Sequence, residues 1–483
     1  MSAAKAKRQG SSLFKLVEDF GGTLATVFFK LGLGIFIGII TARTLGPANR
    51  GIFSVVTAFP ASLTTLTKFG QAQSTIYFIK REREDVVRVA STAVIFGLVA
   101  GTILIVATYL LRDQIVGSML KGVPLWALLA VLPMIPTLLV ESYLYGVLQA
   151  TDGFRVYNAR LIGESILTLI GMAVVLLWLG YSLPGALAVA VTLRVVMVSW
   201  VLWTVQRQHG LHAQFDFPLF RRMLRYGLKS HLQIIASHFN FKAGVYLCAY
   251  YLTPSEVAFY AIGAHLAERM MQVPQSLGLA MFPRLAGSSE ERVHAMTAAA
   301  CRQTLAITVV MALALSLLGR FAIITLYGER YAPAAVPLVY IAWGIVMMSQ
   351  YVLLSRDFTA RDRQVINVIA AYVALLGNVG LNVVLIPRLG IEGAAIGTAT
   401  SYSVAALLLY VFFVRESGLP WYESLAPRAS DFELWKRVGR EGLGRVRDAR
   451  ARGKAGKSTR NGKGGQNGQD PQDAGDVDGS PLE

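Results

Sequence analysis

A chain of 483 residues, 54% of them hydrophobic and only 16% charged, cannot cover a soluble fold of its size with polar surface. The apolar residues gather in long runs that do not alternate, which excludes a transmembrane β-barrel and indicates a helical membrane protein. The formal charge of +17 needs no nucleic-acid partner, because cationic loops that follow the membrane-insertion rule account for it.

Residues 1–19 form a short polar and basic lead. Twelve spans are then predicted, near 20–44, 49–78, 88–111, 124–149, 158–180, 183–206, 226–251, 255–283, 301–326, 333–355, 364–386 and 391–414. Each is long enough to cross a hydrocarbon core of ~30 Å at ~1.5 Å per residue. The connections alternate in charge. Those at the N-terminal side carry Lys80, Arg81, Arg83 and Arg88, Arg155 and Arg160, then Arg207, Arg221, Arg222, Arg225 and Lys229, and further cations at 284–302 and 356–363. The opposite connections carry only Arg43, Arg50, Arg112, Lys121, Arg320, Arg330 and Arg388, so both termini are expected in the cytoplasm. The first span is long and lacks a small-residue cleavage site, so it reads as a retained helix. Cys248 and Cys301 lie in or beside apolar segments and suggest neither a disulfide scaffold nor a thiolate metal site.

From about 416 the chain changes character. Ser430 and Glu433 match a capping box, and Phe432, Trp435, Val438 and Val446 mark an apolar edge beside Lys436, Arg437, Arg440 and Arg445. A basic helix on anionic lipid is one reading. A disordered basic tail is the other, because Gly439, Gly442 and Gly444 weaken a helix and the stretch after Lys454 has almost no apolar content.

Three short matches recur at nearly one offset. "LGPANRGIFSVV" (45–56) resembles "LTPSEVAFYAIG" (252–263), "QATDGFR" (149–155) resembles "TARDRQV" (359–365), and "LGYSLPGALAVA" (179–190) resembles "LGIEGAAIGTA" (389–399). The offset predicts two six-span lobes, 20–206 and 226–415, joined by a cytoplasmic linker at 207–225. Six is even, so the lobes should be related by an axis along the membrane normal, with a cavity between them.

The charges inside spans follow this division. Lys30 lies about ten residues into the first span, roughly 15 Å deep. Facing lipid there would cost about 2.5–3.5 kcal/mol, a cost that a wet cavity removes. Span 2 carries Thr57, Thr64, Thr65, Thr67 and Lys68. Span 7 carries His231, His238 and Lys242 on one helical face. Span 8 carries His265, Glu268, Arg269 and Gln272 at spacings of three, four and seven. Spans 1, 2, 7 and 8 are therefore expected to line the cavity, with Lys30, Lys68, His238, Lys242, His265 and Arg269 binding an anionic cargo such as a phosphate or diphosphate. Plainer readings stand beside this one. Lys68 can snorkel from the end of its helix, His231 can be an interfacial anchor, and Glu268 can pair with Lys242 or Arg269. Glu141, Glu164 and Arg194, in spans 4, 5 and 6, suit either a Glu164–Arg194 pair or ion coupling.

Several chemistries lack their residues. No connection between spans exceeds about 25 residues, which leaves no room for a soluble catalytic domain. No Gly-x-x-x-x-Gly-Lys-Ser/Thr phosphate loop and no His-Glu-x-x-His pair is present. No catalytic residue, metal ligand or cofactor is assigned. Transport across a bilayer is the reading left.

"ARTLGPANRGIFSVVTAFPASLTTLTKFGQAQSTIYFIKR" (42–81) resembles the first helical hairpin of bacterial polysaccharide and O-antigen flippases, with Gly70, Tyr77 and Phe78 matching its end. "FPRLA" (282–286), "LQATDGFR" (148–155) and "IPRLGIEGAAIGTATSYSV" (386–404) extend the resemblance over about 15–415. That family belongs to the multidrug/oligosaccharidyl-lipid/polysaccharide exporter superfamily. The resemblance implies an all-α, V-shaped bundle of about twelve helices in the bacterial cytoplasmic membrane. It also implies movement of undecaprenyl-diphosphate-linked oligosaccharide between leaflets, with membrane lipids and polysaccharide polymerase or export proteins as partners. In relatives, cavity cations bind the diphosphate or acidic sugars, the role expected of Lys30, Lys68, Lys242 and Arg269. One departure concerns Gly244, which follows Asn240 and Lys242 where many relatives place an acidic residue; coupling to a cation through that position is in doubt. A multidrug exporter, with Glu141, Glu164 and Glu268 facing cationic drugs, is the alternative. A non-transporting scaffold recruited through its basic tail is the second.

Overall fold

The computed structural model describes residues 2–151, 153–285, 289–426 and 428. The predicted tail helix and Asp152 of the second repeat match therefore lie outside the described residues. The described chain is helical, without strands: α1 (Ser2–Thr67), α2 (Gln71–Lys80), α3 (Val86–Leu110), the short α4 (Arg112–Gln114) and α5 (Leu125–Ala130), α6 (Met134–Ala150), α7 (Phe154–Met172), α8 (Leu183–His209), α9 (Phe217–Tyr251), α10 (Pro254–Glu268), α11 (Gln272–Leu285), α12 (Glu290–Tyr327), α13 (Ala335–Ala360) and α14 (Gln364–Ser417).

Among the described residues, eight helical stretches are long and apolar enough to cross a membrane. Two of them each hold two of the predicted spans, because α1 is broken at Gly46 (φ 70°) and α14 at Gly390 (φ 58°). Those left-handed backbone angles suit glycine. The remaining predicted spans correspond to α9 and to α10 with α11. Their histidines, lysine and arginine lower the hydropathy that marks the others. The predicted second span is also not continuous. α1 stops at Thr67, Phe69 and Gly70 take left-handed angles, and α2 starts at Gln71.

Local chemistry sets the starts of the helices. Asp85 caps α3 by accepting from the Arg88 amide, and Asp216 caps α9 through the Leu219 amide. Thr253 and Glu256 form a full capping box at α10, with Pro254 at its first position. One buried apolar cluster runs from Ala42, Val55 and Val56 through Cys248, Val257 and Ala258 to Tyr331, Ile341 and Phe413. Residues from both sequence repeats thus share a core. Leu98, Val99, Ile103, Leu317, Phe321 and Leu376 are exposed on single helix faces, the distribution expected against lipid.

Two close approaches hold the repeats together. At the Gly46 end, the repeat-matched segments 45–56 and 252–263 touch: a Cβ added to Gly51 would fall 1.7 Å from the Pro254 carbonyl oxygen. Arg43 Nε donates to the Leu326 carbonyl at 2.9 Å, and the Tyr331 hydroxyl donates to the Ala42 carbonyl at 2.8 Å. At the Gly70 end, Gly70 and Gly227 cross backbone to backbone, each admitting no Cβ. Ser74 Oγ donates to the Met223 carbonyl at 2.6 Å nearby.

Candidate functional site

Between these two closures lie two cavities. The larger, about 530 Å³, is lined by Lys30, Gly34, Glu164, Arg194, Arg269 and Gln272 among others. The smaller, about 350 Å³, is lined by Lys242, His265, Glu268, Arg269, Gln272 and Gln275 with two apolar neighbours. Arg269 and Gln272 line both. The sequence-predicted binding residues Lys30, Lys242, His265 and Arg269 thus reach cavity walls. The walls also include α7 and α8, which the expectation of spans 1, 2, 7 and 8 omitted.

Helix interruptions place two of the cations. Arg269 opens a 3-10 turn, Arg269–Met271, between α10 and α11. Pro274 explains the break, since proline has no amide hydrogen and crowds the carbonyl four residues earlier. A Cβ on Gly34 would sit 3.3 Å from the Arg269 guanidinium, so a bare backbone lets that side chain reach α1. Lys68 directly follows the last residue of α1, ahead of the Phe69–Gly70 break. Carbonyls freed at such a helix end favour a cation.

The acidic residues are already occupied. Arg160 contacts Glu141 at 2.5 Å and Glu164 at 2.8 Å, while Arg194 contacts Glu141 at 2.5 Å and Glu164 at 3.3 Å. The expected Glu164–Arg194 pair is therefore one side of a four-membered ring joining α6, α7 and α8. Arg160, read from the sequence as a loop cation, is instead 2% exposed inside α7. Its spacing of four from Glu164 is the signal that could have shown it. Glu268 lies 3.3 Å from His265 Nδ1 and within electrostatic reach of Lys242 and Arg269.

By contrast, Lys30, Lys68, Lys242 and Arg269 make no ion pair within 4.0 Å among the described residues. They are nonetheless linked through space. Lys30 interacts electrostatically with Glu164, Arg160, Arg194 and Glu141, Lys68 with Glu141 and Arg194, and His238 with Lys242 and Lys68. Counting Glu268 with Glu141 and Glu164, three carboxylates face six cations, Lys30, Lys68, Lys242, Arg160, Arg194 and Arg269, so the local field is positive. His238 also meets Ser62 Oγ at 2.9 Å, and Tyr246 donates to the same hydroxyl at 2.7 Å. His231 is buried, with Nε2 3.1 Å from the Leu66 carbonyl. It fastens α9 to α1 and lines neither cavity.

Sequence reasoning missed a neutral network behind α9. Asn378 Nδ2 donates to the backbone and side-chain oxygens of Asn240 at 2.8 and 2.9 Å, and Ser401 donates to the same amide at 3.2 Å. Gly244, singled out for lacking a carboxylate, faces the Tyr260 hydroxyl: a Cβ there would approach it to 2.0 Å. No side chain fits at 244 while Tyr260 keeps its bond to Thr398.

Comparison with known proteins agrees with this architecture. The model of a family described as "Polysaccharide biosynthesis protein" matches residues 16–289. The probable low-salt glycan biosynthesis flippase Agl15 of Haloferax volcanii is 22% identical over 393 residues, 80% of each chain. The solved structure of lipid II flippase MurJ in an inward closed conformation superposes with a TM-score of 0.65 at 17% identity, covering 83% of this chain and 88% of that one. An inward-facing multidrug resistance MATE family transporter gives 0.64 at 16% identity, covering 80% and 94%.

Proposed function

Because this chain belongs to the polysaccharide biosynthesis protein family, we propose that it is a flippase moving undecaprenyl-diphosphate-linked oligosaccharide across the cytoplasmic membrane for polysaccharide assembly. The observation that carries the reading is the set of cations without ion-pair partners, Lys30, Lys242 and Arg269 on the walls of two cavities that share Arg269, with Lys68 within electrostatic reach of the ion ring beside them. An unpaired cation held at membrane depth is costly, and an anionic cargo removes that cost when it binds. Lys30 and Arg269, whose guanidinium lies against Gly34 one helical turn from Lys30, take the diphosphate in the larger cavity. Lys242 and Lys68 extend the positive field, with His238 and His265 as hydrogen-bonding neighbours.

The lobes, 20–206 and 226–415, alternate access about the 207–225 linker, with both termini in the cytoplasm. In this orientation the Gly51–Pro254 approach closes the outward side. Glu141, Glu164 and Arg194 serve as charge pairing that holds α6, α7 and α8 in register. The chain acts as a transporter rather than an enzyme, beside a polymerase and export proteins.

A multidrug exporter of cations fits the cavities less well, because Glu141 and Glu164 are matched by Arg160 and Arg194 and Glu268 is taken up by His265 Nδ1. The test is the double variant K30A/R269A. Losing two charge-assisted contacts should weaken binding of the lipid diphosphate on the order of a hundredfold. Polymer export should stop while the protein level in the membrane is unchanged. Normal export by the double variant would remove this site. Loss of export only on deleting 416–483 would favour a scaffold.

A further inference from the structure

A third recess lies away from the two cavities, at the Gly70 end. It has a volume of about 470 Å³ and is lined by Tyr77, Glu82, Arg221, Arg222, Arg225 and Tyr226, with Phe78 and Pro218. Tyr77 and Tyr226 stack with ring centroids 4.1 Å apart, joining α2 to the first turns of α9. Arg222 pairs with Glu84 at 2.5 Å and sits over Phe78. Arg221 and Arg225, one helical turn apart, have no ion pair within 4.0 Å among the described residues.

Two features bring lipid to this recess. Phe215 and Phe217 expose 41% and 64% of their surface beside the arginines, the mixture of an interfacial helix. The recess also lies where the first span pair ends and the chain between the repeats runs into α9. Its polar groups therefore fall at headgroup depth rather than in hydrocarbon.

We propose that this recess binds a lipid-borne phosphate. Arg221 and Arg225 grip the phosphate oxygens through their planar donor forks, and the stacked Tyr77–Tyr226 pair forms the wall that receives the glycerol or isoprenoid root. Occupation bridges α2 and α9 beside the Gly70–Gly227 crossing, so the bound lipid steadies the junction about which the repeats would move. The inference is independent of the cargo assigned to the central cavities.

The test uses the full chain in neutral detergent, with lipids titrated in and binding read by native mass spectrometry. Phosphatidylglycerol, phosphatidylcholine, undecaprenyl diphosphate and inorganic phosphate are the probes. Phosphatidylglycerol should be held over phosphatidylcholine, and R221Q/R225Q should weaken it about thirtyfold at low ionic strength. The charge-matched variant R320Q/R388Q should leave it unchanged. Displacement of phosphatidylglycerol by undecaprenyl diphosphate through the same two arginines would identify the cargo lipid as an occupant. Failure of that displacement would identify a structural phospholipid. Equal binding of phosphatidylglycerol and phosphatidylcholine, an equal loss in R320Q/R388Q, or inorganic phosphate competing as well as either lipid would overturn the proposal.

Discussion

Gly51→Ala should prevent the Gly46 end of the bundle from closing. The added Cβ would sit 1.7 Å from the Pro254 carbonyl oxygen, whereas real Cβ atoms essentially never come within 3.0 Å. The two repeat-matched segments must therefore part by at least 1.3 Å, the difference between those distances. The obstacle is backbone on an element fixed by a capping box, so no rotamer change relieves it. Overpacking of this kind costs about 1–3 kcal/mol, a shift of roughly 5–150-fold between closed and open forms. Alanine's better helix propensity, up to about 1 kcal/mol, acts in both forms and cancels. Ser54 lies one turn beyond Gly51 and is 9% exposed, so Ser54→Cys reports the opening. The background replaces Cys248 and Cys301, both buried thiols, by alanine. A membrane-impermeant maleimide added from the Gly46 side should label Cys at 54 slowly alone and at least about fivefold faster with Gly51→Ala. Gly377→Ala, with nothing within 4 Å, should change nothing. Unaltered labelling in the Gly51 variant would show that the contact does not gate this end.

The remaining expectations concern stability. Arg160→Met leaves Glu141 and Glu164 short of a buried partner and should cost about 3–5 kcal/mol in reversible unfolding from mixed micelles. Adding Glu164→Leu should recover most of that, because Glu141 and Arg194 remain paired; a double variant as unstable as the single one would refute the ring as the cause. Asp216 is held below its ordinary carboxylate pKa, first by the Leu219 amide and then by Arg88. A depressed folded-state pKa contributes stability above the unfolded pKa and loses it as pH falls through the carboxylate range. The melting difference between the native chain and Asp216→Asn should therefore be present at pH 7 and fade between about pH 5 and pH 3. A difference that persists unchanged at the acid end would exclude the charge as its source.

The membrane class and most helices were legible because apolar runs are local. The offset between Pro47 and Pro254 was legible too, and those segments do meet. Less was legible where a partner is distant in sequence. Nothing near Arg160 announces that Glu141 lies opposite it, and Asn240, Asn378 and Ser401 read as unremarkable polar residues until helix packing joins them. The break at Phe69–Gly70 was signalled by Lys68, Gly70, Gln71 and Gln73, but the apolar return at 76–79 carried the predicted span across it. Pro274 did foreshadow the turn at Arg269, but a proline inside an apolar run signals equally a kink or an end. The plainer alternatives weighed for Lys68 and His231 fared differently. Lys68 stands at a helix break near the ion ring, whereas His231 is a buried fastening.

One guanidinium, that of Arg269, belongs to both central chambers at once. Two anions seated side by side would have to divide a single donor fork, and whichever held it would leave the other with one lysine beside side chains already paired, Arg194 with Glu164 or His265 with Glu268. The arrangement makes the chambers rivals instead of twin berths. Stoichiometry above one passenger per turnover is thereby discouraged by charge alone, and headroom need not enter.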